Sequence, residues 1–587
     1  MSDRKKNQKT DKALILPDPA KEKKADIFVL LLLFAFGLYM SILYWGHQVV
    51  PHFDFNCFAS LGRQILSFQL PADYKRVPLV GILQVLLGKL TGADCPEFTG
   101  GLLLNAILLP FNVILIFLIA KRFIDRFGAL LAVIAIINPQ VVQLLTEAIV
   151  ETTLLFGILL SFYLMIRRSK WVYLAAAATS MVRYEGAVLI AAAFILDMIE
   201  GPDAKARIKT FVCSALASVP LAIWAALTVI NWKSLGGTYY LKEMGSQSGG
   251  KIILMDFIEL TWQIVYAPLF MPSVHSGQDA FDMIFNLNMF FSAASFIIGI
   301  TFAVLKKNWI ILAMVLFLFV YLFIHAVHSF MVLRFCMPIV PISLIISAYG
   351  LWCLCLYLKR KTAVPDFVVI IFQAFIVLVL ICWISILLAD MRSIAQLSVR
   401  SVSLPYVSIA VSALICIGIV YVKGRKTLLK TITIFLFVCL MILSNQFMLT
   451  KVVGNGERDI EFKYLLDWYL ENASPDEKMA LTVPVILSDL APKYEKNFIH
   501  TQEFEANSPN EFALECYKKN ITYVAWDSRM GLTPQSVYYK SWKMSNIAPL
   551  AAGRDIGPYQ FITQFRVDQR RYLNLYRLRP LPQTAPK

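Results

Sequence analysis

Long apolar segments separated by short polar turns occupy most of the chain up to about residue 450. The first segment runs from Ala25 to Trp45, and this length suits an α-helix that crosses the hydrocarbon core of a bilayer. Backbone groups in hydrocarbon must pair within their own segment, so each long apolar run is expected to be helical. Further apolar segments lie near 101–119, 128–138, 149–166, 171–182, 186–199, 210–231, 284–305, 309–325, 336–358, 367–389, 405–422 and 431–449.

This pattern predicts a mostly α, polytopic membrane helical bundle with about thirteen transmembrane helices. Alternate turns between the segments carry basic clusters: Lys121/Arg122/Arg126, Arg167/Arg168/Lys170, Lys205/Arg207/Lys209, Lys306/Lys307, Lys359/Arg360/Lys361 and Lys423/Arg425/Lys426. Positive charge favours the cytoplasmic side of a membrane. Residues 1–24 are also strongly basic, so the N-terminus is expected to be cytoplasmic. An odd number of helices then makes residues 451–587 extracytoplasmic.

Two extracytoplasmic loops are predicted to be longer than simple connections, at 47–100 and 232–282. In the first, Phe55–Phe68 and Val77–Leu90 have the pattern of amphipathic helices that lie at the membrane interface. The second loop is rich in Gly, Ser and aromatic residues, a composition typical of a mobile loop over a site.

The tail at 451–587 has mixed charges and alternates helical with strand patterns, which predicts a small soluble α/β domain. Helices are expected at Ile460–Asn472 and Asn510–Lys519, and strands at Lys478–Val483 and Ile521–Trp526. The run Tyr572–Leu578 alternates like an edge strand. The tail has no Gly-rich phosphate loop, so its sequence gives little support to nucleotide binding.

Composition agrees with a membrane protein. Of 587 residues, 58% are hydrophobic and 16% are charged, and the mean hydropathy is +0.64. Soluble proteins have roughly 25% charged residues. The net charge of +16 is concentrated in turns between apolar runs. Such charges orient helices, so a nucleic-acid partner is not expected.

The first loop contains the first candidate site residues. Asp54 is a candidate general base with a raised pKa, because it is held among aromatic residues at the membrane face. The alternative is that Asp54 caps the following helix. Lys75 and Arg76 are candidates for binding an anionic head group. Their alternative role is a solvated pair at the lipid surface.

Further ionisable residues lie at the outer ends of predicted helices, where burial makes a functional role the default expectation. Glu147 and Glu151 have i, i+4 spacing and are expected to share one helical face, although acids near a helix start are also favoured by its dipole. Arg183, Glu185 and Arg334 lie on the predicted outer side. His325 and His328 have a spacing that suits metal binding, but no clear third ligand accompanies them.

Four segments in this order resemble the GT-C superfamily of membrane glycosyltransferases, in the protein O-mannosyltransferase and aminoarabinose-transferase branch. Besides an Asp after the first helix, the segments are YKRVPLVGILQVLLGKLTG, NPQVVQLLTEAIVETTLLFGILLSFYLMIRR, AAAATSMVRYEG and LRFCMPIVPISLIISAYG. The resemblance covers roughly the first 350 residues. It implies that 25–450 is a glycosyltransferase domain of GT-C type.

The resemblance implies transfer of a sugar from a polyprenyl-phosphate donor to an extracytoplasmic acceptor, with inversion, in a cell membrane. The acceptor is left open among a protein, a glycolipid and a polysaccharide. Asp54 would be the catalytic base, and Arg76, Lys75 and Arg334 would bind the donor phosphate. The acceptor would be oriented by Glu151, Glu147, Arg183 and Glu185. A monophosphate leaving group needs a metal less than a nucleotide diphosphate does, so no cofactor is expected. The other readings are a transporter or flippase, and a membrane-anchored binding protein that acts through its tail.

Overall fold

The computed structural model describes residues 19–52, 54–71, 74, 76–136, 139–235, 253–265, 279–327, 333–361, 432, 435–436, 438–439, 459–528, 543–567 and 571–580. The predicted helices at 367–389 and 405–422 lie outside these ranges, as does nearly all of 431–449. Most of the predicted loop at 232–282 also lies outside them.

Most helices of the membrane part occur where the apolar segments predicted them. The exceptions are Pro139–Thr146, which lies between two predicted segments, and Ile253–Val265, which lies inside the predicted loop at 232–282. They are α1 (Pro19–Leu43), α2 (Phe55–Leu66), α3 (Leu79–Gly88), α4 (Pro96–Phe123), α5 (Arg126–Ile136), α6 (Pro139–Thr146), α7 (Glu151–Ile166), α8 (Trp171–Ser180), α9 (Ala187–Glu200), α10 (Ala204–Leu235), α11 (Ile253–Val265), α12 (Asp279–Leu305), α13 (Trp309–Val327), α14 (Leu333–Cys336) and α15 (Val340–Lys361). Within the described residues, five helical stretches are long and apolar enough to cross a membrane. These stretches are Asp26–Leu43, Pro96–Phe123, Ala204–Ile230, Trp309–Val327 and Arg334–Leu358. The chain is therefore a membrane protein, and the total of thirteen helices remains a prediction.

Helix α4 supports the helices around the site. It begins with Pro96 at its first position, where the missing N–H costs nothing, and its last turn contains Lys121 and Arg122 beside the negative end of the helix dipole. Helix α1 packs closely against it. A Cβ on Gly37 would lie 2.5 Å from the Cα of Pro110, so only glycine permits this approach.

The first loop forms two helices, α2 and α3, at the positions predicted for amphipathic helices. They touch through Gly62 and Gly81, where an added Cβ would collide with the backbone of the partner helix. The segment that enters α3 is fixed by the Trp224 indole of α10, which donates to the Arg76 carbonyl at 3.0 Å. The amide of Leu79 also donates to the Met181 carbonyl at 3.0 Å. These contacts give the loop between α2 and α3 a defined place beside the bundle.

Residues 459–580 contain a five-stranded sheet in the order β2-β1-β3-β5-β4. The strands are β1 (Lys478–Leu481), β2 (Phe498–His500), β3 (Ile521–Asp527), β4 (Tyr559–Arg566) and β5 (Tyr572–Leu578). The accompanying helices are α16 (Ile460–Asn472), α17 (Pro484–Leu490) and α18 (Pro509–Lys518). β1 pairs in parallel with β2 and β3, and β5 pairs antiparallel with β3 and β4.

The prediction that Tyr572–Leu578 is an edge strand is wrong. β5 lies between β3 and β4, and its residues from Leu573 to Tyr576 are all buried. The edge is β4, most of whose side chains are partly exposed. Sequence alternation alone could not distinguish an edge strand from an interior strand here. Asn574, the polar residue within the alternation, is buried and donates through its amide to the Leu550 carbonyl.

The sheet and its helices pack on the first loop. Val50 belongs to the same apolar cluster as Phe462 and Leu466 of α16. The Cys95 thiol donates to the Leu490 carbonyl at 2.8 Å, at the end of α17. The first loop and the C-terminal unit therefore lie on the same side of the helical bundle. Asp26, near the other end of α1, instead pairs with Lys121 and Arg126.

Candidate active site

Asp54 lies in the first loop and stands at the N-cap position of α2. Its side chain makes no capping hydrogen bond, so the alternative of a structural helix cap is wrong. Two guanidinium groups bind its oxygens instead. Nη2 of Arg76 donates to Oδ1 at 3.1 Å, and Nη2 of Arg334 donates to Oδ2 at 3.0 Å. One carboxylate thus holds two arginines that are far apart in the sequence.

Arg334 contacts protein groups through all three of its nitrogens. Besides Asp54, its Nη1 lies 2.6 Å from Nε2 of His52, and its Nε lies 3.2 Å from Oε1 of Glu151. The face of the guanidinium lies over the Phe335 ring at 5.1 Å. Contacts in the plane of the guanidinium and on its face fix its orientation.

Glu151, Arg183, Glu185 and His325 continue this network away from Asp54. Glu151 is fully buried at the start of α7, where the helix dipole favours a negative charge. Arg183 has Nη1 4.0 Å from Glu151 and donates through Nη2 to Glu185 at 3.2 Å. His325 Nε2 lies 3.3 Å from the same Glu185 oxygen. Each buried carboxylate therefore has a nitrogen-bearing neighbour, as burial in an apolar bundle requires.

A cavity of about 400 Å³, counting its open mouth, lies over this network. Its charged lining consists of Asp54, Arg76, Arg183, Glu185 and Arg334. Apolar side chains that include Phe58, Val150 and Phe335 complete the wall. Such a cavity suits a ligand that has an anionic group beside a larger uncharged part.

The electrostatics of Asp54 correct one expectation from the sequence. Burial raises the pKa of its carboxyl, but the positive charges of Arg76 and Arg334 and the hydrogen bond from Arg334 hold the pKa below its ordinary value. The prediction of a raised pKa is therefore wrong for this state of the site. The aromatic neighbours of Asp54 are adjacent in the sequence, whereas the two arginines that bind it reach it from other segments. In this state Asp54 is an ionised partner of two cations.

The structure brings most of the predicted site residues together. Besides the five that line the cavity, Glu151 joins through Arg334. Lys75 and His328 lie outside the described residues. His325 contacts Glu185, and within the described residues no three His, Cys, Asp or Glu side chains form a group able to hold a metal ion.

Glu147 is placed differently from its prediction. Helix α6 ends at Thr146 and α7 begins at Glu151, so Glu147 and Glu151 do not share a helical face. The intervening turn is stabilised from outside the helices, because the Asn105 amide donates to the Glu147 carbonyl and Gln48 Oε1 accepts the Ala148 N–H at 2.7 Å. Glu147 is half-buried and does not line the described cavity.

His52 and Phe335 are site residues that the sequence analysis missed. Each is adjacent or nearly adjacent to a predicted site residue, His52 two positions before Asp54 and Phe335 directly after Arg334. Phe335 lies beneath two cations, with Arg183 at 4.7 Å from its ring and Arg334 at 5.1 Å. Closeness in the sequence to Asp54 and to Arg334 is the only signal that could have identified His52 and Phe335 from the sequence.

The sequence matches no protein-family model, and no curated protein is similar to it. Among solved structures, ArnT from Cupriavidus metallidurans bound to undecaprenyl phosphate aligns with 95% of this chain and 98% of its own, with 12% identity and a TM-score of 0.49. The archaeal oligosaccharyltransferase AglB from Archaeoglobus fulgidus, in complex with an inhibitory peptide and a dolichol-phosphate, aligns with 91% of this chain and 73% of its own, with 13% identity and a TM-score of 0.46.

Both structural neighbours are GT-C superfamily membrane glycosyltransferases, the class that the sequence motifs resemble.

Proposed function

We propose that this chain is a membrane glycosyltransferase that moves a sugar from a polyprenyl-phosphate donor to a hydroxyl of an extracytoplasmic acceptor, with inversion at the anomeric carbon. The observation that carries the proposal is the pairing of one carboxylate, Asp54, with two arginines, Arg76 and Arg334, at the wall of a single cavity. These are the groups that such a transfer needs: a base for the hydroxyl and cations for the leaving phosphate.

The surroundings of the cavity favour a donor with a lipid tail. Asp54 and Arg76 belong to the loop that follows α1, and the exposed faces of α1 are apolar, with Ile27, Leu31 and Ile42 each more than half exposed. A polyprenyl chain would remain among such helices while its phosphate reaches the arginines at the end of the bundle.

In the proposed reaction, the acceptor oxygen attacks C1 of the sugar from the face opposite the phosphate. The bond from C1 to the phosphate oxygen breaks, and its electron pair leaves with the phosphate. The acceptor proton passes to the carboxylate of Asp54. Positioned base catalysis of this kind contributes typically about 10²–10⁴-fold to the rate.

Asp54 must leave at least one arginine before it can take a proton, because its pKa is low while both arginines bind it. The donor supplies the reason for this change. A phosphate oxygen is a strong acceptor for guanidinium, and the bound phosphate would share the arginines and place negative charge beside Asp54. Both effects raise the pKa of Asp54 and make it a better base when the donor is present.

Arg76 is the arginine better placed to accept the phosphate. Among the described residues its guanidinium binds one carboxylate through Nη2, whereas all three nitrogens of Arg334 contact protein groups, so Arg76 has more N–H groups left for a phosphate oxygen. Arg334, and Lys75 from the adjoining segment, would share this role. Arg183, Glu185 and Glu151 are proposed to orient the acceptor, either directly or through Arg334. Glu147, which does not line the described cavity, is no longer assigned this role.

The proposal places the cavity and the C-terminal unit on the extracytoplasmic side of a cell membrane, with the N-terminus in the cytoplasm. The acceptor would be a protein, a glycolipid or a growing polysaccharide. A transporter or flippase would need charges or breaks within the spanning helices. The charged groups gather instead in a cavity whose lining includes the first loop. A binding protein that acts through its tail would not need this constellation.

The direct test uses the purified full chain in lipid nanodiscs with polyprenyl-phosphate-linked sugars and an extract of extracytoplasmic acceptors. The wild type should release polyprenyl phosphate and form a product with inverted anomeric configuration by NMR. Asp54→Asn should lose about 10²–10⁴-fold of this rate. Asp26→Asn is the matched control, since Asp26 also pairs with two cations but at the other end of α1. Full transfer by Asp54→Asn would refute the assignment of the base.

A further inference from the structure

His52 is almost fully buried behind two residues of the cavity wall, Asp54 and Arg334, and contacts both. Its Nε2 lies 2.6 Å from Nη1 of Arg334. An arginine carries only donors, so the imidazole nitrogen must be the acceptor in this contact. His52 is therefore neutral here, with its proton on Nδ1.

The two neighbours of the second ring nitrogen favour different tautomers. Nδ1 lies 3.7 Å from Oδ2 of Asp54 and 3.2 Å from the Asp54 amide nitrogen. A hydrogen bond from that amide would require the opposite tautomer, which would leave Nε2 and Arg334 as two donors facing each other at 2.6 Å. The shorter contact decides the tautomer, and the Nδ1 proton then faces the Asp54 carboxylate.

The contact between His52 and Arg334 would hold Arg334 in place after Asp54 releases it. Asp54 holds Arg334 through Nη2 only, whereas His52 holds Nη1 and Glu151 lies beside Nε. If Asp54 turns towards an acceptor hydroxyl, the remaining two contacts keep the guanidinium in its plane. The Nη2 that Asp54 leaves then points into the cavity, where a phosphate oxygen would take the place of the carboxylate.

We propose that His52 is a positioning residue of the transfer reaction: its neutral imidazole anchors Arg334, so that the arginine stays in place for the donor phosphate while Asp54 acts as the base. This inference rests on the proposed function and adds to it a residue with a defined role. His52 does not touch the reacting atoms. Its effect on the reaction passes through Arg334.

Glutamine and asparagine at position 52 separate this role from simple packing. The amide of glutamine reaches about as far as Nε2 of histidine and can accept from Arg334, whereas the shorter asparagine reaches only the place of Nδ1. A hydrogen bond to a charged group is worth roughly 1.5–3 kcal/mol, which corresponds to a factor of about ten or more. His52→Asn and His52→Ala should therefore raise the donor KM and the Kd for polyprenyl phosphate about tenfold. His52→Gln should restore both to within about threefold of the wild-type values.

The measurement uses the full chain in nanodiscs, with sugar-free polyprenyl phosphate as the binding probe and the transfer assay for KM and kcat. His47→Asn and His47→Gln are matched controls, because His47 is also buried but bonds the Tyr44 carbonyl outside the site. Thermal unfolding of every variant identifies loss of folding. A merely structural role would lower stability without separating glutamine from asparagine in donor KM.

A double-mutant cycle gives a second readout. With Arg334→Lys, the single ammonium cannot serve His52 and the phosphate together, so His52→Ala should add little further loss of phosphate binding. Equal effects of glutamine and asparagine, or full additivity with Arg334→Lys, would overturn the role of His52. A wild-type chain that binds no polyprenyl phosphate would instead refute the proposed function, so the two failures can be told apart.

Discussion

Asp54→Asn should bind polyprenyl phosphate more tightly than the wild type does, although it loses transfer. In the structure, the Asp54 carboxylate occupies one nitrogen of Arg76 and one of Arg334, the same groups that the donor phosphate is proposed to use. Carboxylate and phosphate therefore compete for two cations. Asparagine has no charge and its amide oxygen is a weaker acceptor, so it competes less.

The magnitude follows from the contacts that the phosphate must displace. A charge-assisted hydrogen bond is worth roughly 1.5–3 kcal/mol, and the lower value is appropriate because the Asp54 side chain is 17% exposed and partly screened. Displacement from one arginine then costs about 1.5 kcal/mol, which asparagine largely avoids. The variant should bind polyprenyl phosphate about tenfold more tightly.

The assay measures equilibrium binding of sugar-free polyprenyl phosphate to the full chain in nanodiscs. Binding is detected by the change in tryptophan fluorescence or by the rise in unfolding temperature. Asp26→Asn is again the control, and its affinity should equal that of the wild type. An Asp54→Asn variant with unchanged or weaker binding would show that Asp54 and the phosphate do not share the arginines. The competition between them would then have to be abandoned.

Three further predictions concern the support of the site. Glu151→Gln should destabilise the chain by roughly 3 kcal/mol, since it removes the charge of the fully buried carboxylate that Arg334 and Arg183 share. Glu200→Gln, which breaks an exposed pair, should cost less than about 1 kcal/mol, and equal unfolding temperatures of the two variants would contradict this. Burial raises the pKa of the Asp489 carboxyl to about 8, well above its ordinary 3.8. Between these two pH values the folded chain therefore holds a proton on Asp489 that the unfolded chain has lost, so the free energy of unfolding falls as pH rises. Asp489→Asn should remove this fall in unfolding scans taken across that pH range. A pH dependence of the same size in the variant would refute the assignment. Gly81→Ala should reduce the yield of folded protein and the rate of transfer, because its Cβ would collide with the Phe58 carbonyl. Gly128→Ala is the control, since its Cβ would meet only side chains that can move. Equal yields of the two variants would count against this packing.

Hydrophobic patterning was sufficient to predict the long helices of the described membrane part, but it missed α6 and predicted a loop where α11 lies. Apolar runs of bilayer length have few alternatives to a helix, so α1, α4 and α13 lie where the sequence placed them. The two helices of the first loop were also predicted correctly as α2 and α3. Their close contact was not predicted, because it depends on which glycine faces which backbone.

The candidate site was predicted as a set of residues without its geometry. Burial cost identified Asp54, Arg76, Glu151 and Arg334 as separate candidates along the chain. No local pattern states that Arg334 lies within 3.0 Å of Asp54, since that contact depends on how the helices pack. For the same reason the direction of the Asp54 pKa shift was predicted wrongly.

Errors occurred where local periodicity was extended across a break. Glu147 and Glu151 have helical spacing, but the helix starts only at Glu151 and side chains from other segments support the preceding turn. The strand β5 shows the alternation of an edge strand, yet it is interior because β4 pairs with it. Both outcomes depend on tertiary partners, which periodicity does not report.

The central claim is that the cavity beside Asp54 binds the phosphate of a polyprenyl donor. A cryo-electron microscopy structure of the full chain with bound polyprenyl phosphate would test it most directly. The account predicts the phosphate within hydrogen-bonding distance of Arg76 and Arg334, His52 still on Arg334, and Asp54 released from at least one arginine. A phosphate bound elsewhere, with Asp54 still holding both arginines, would contradict the account.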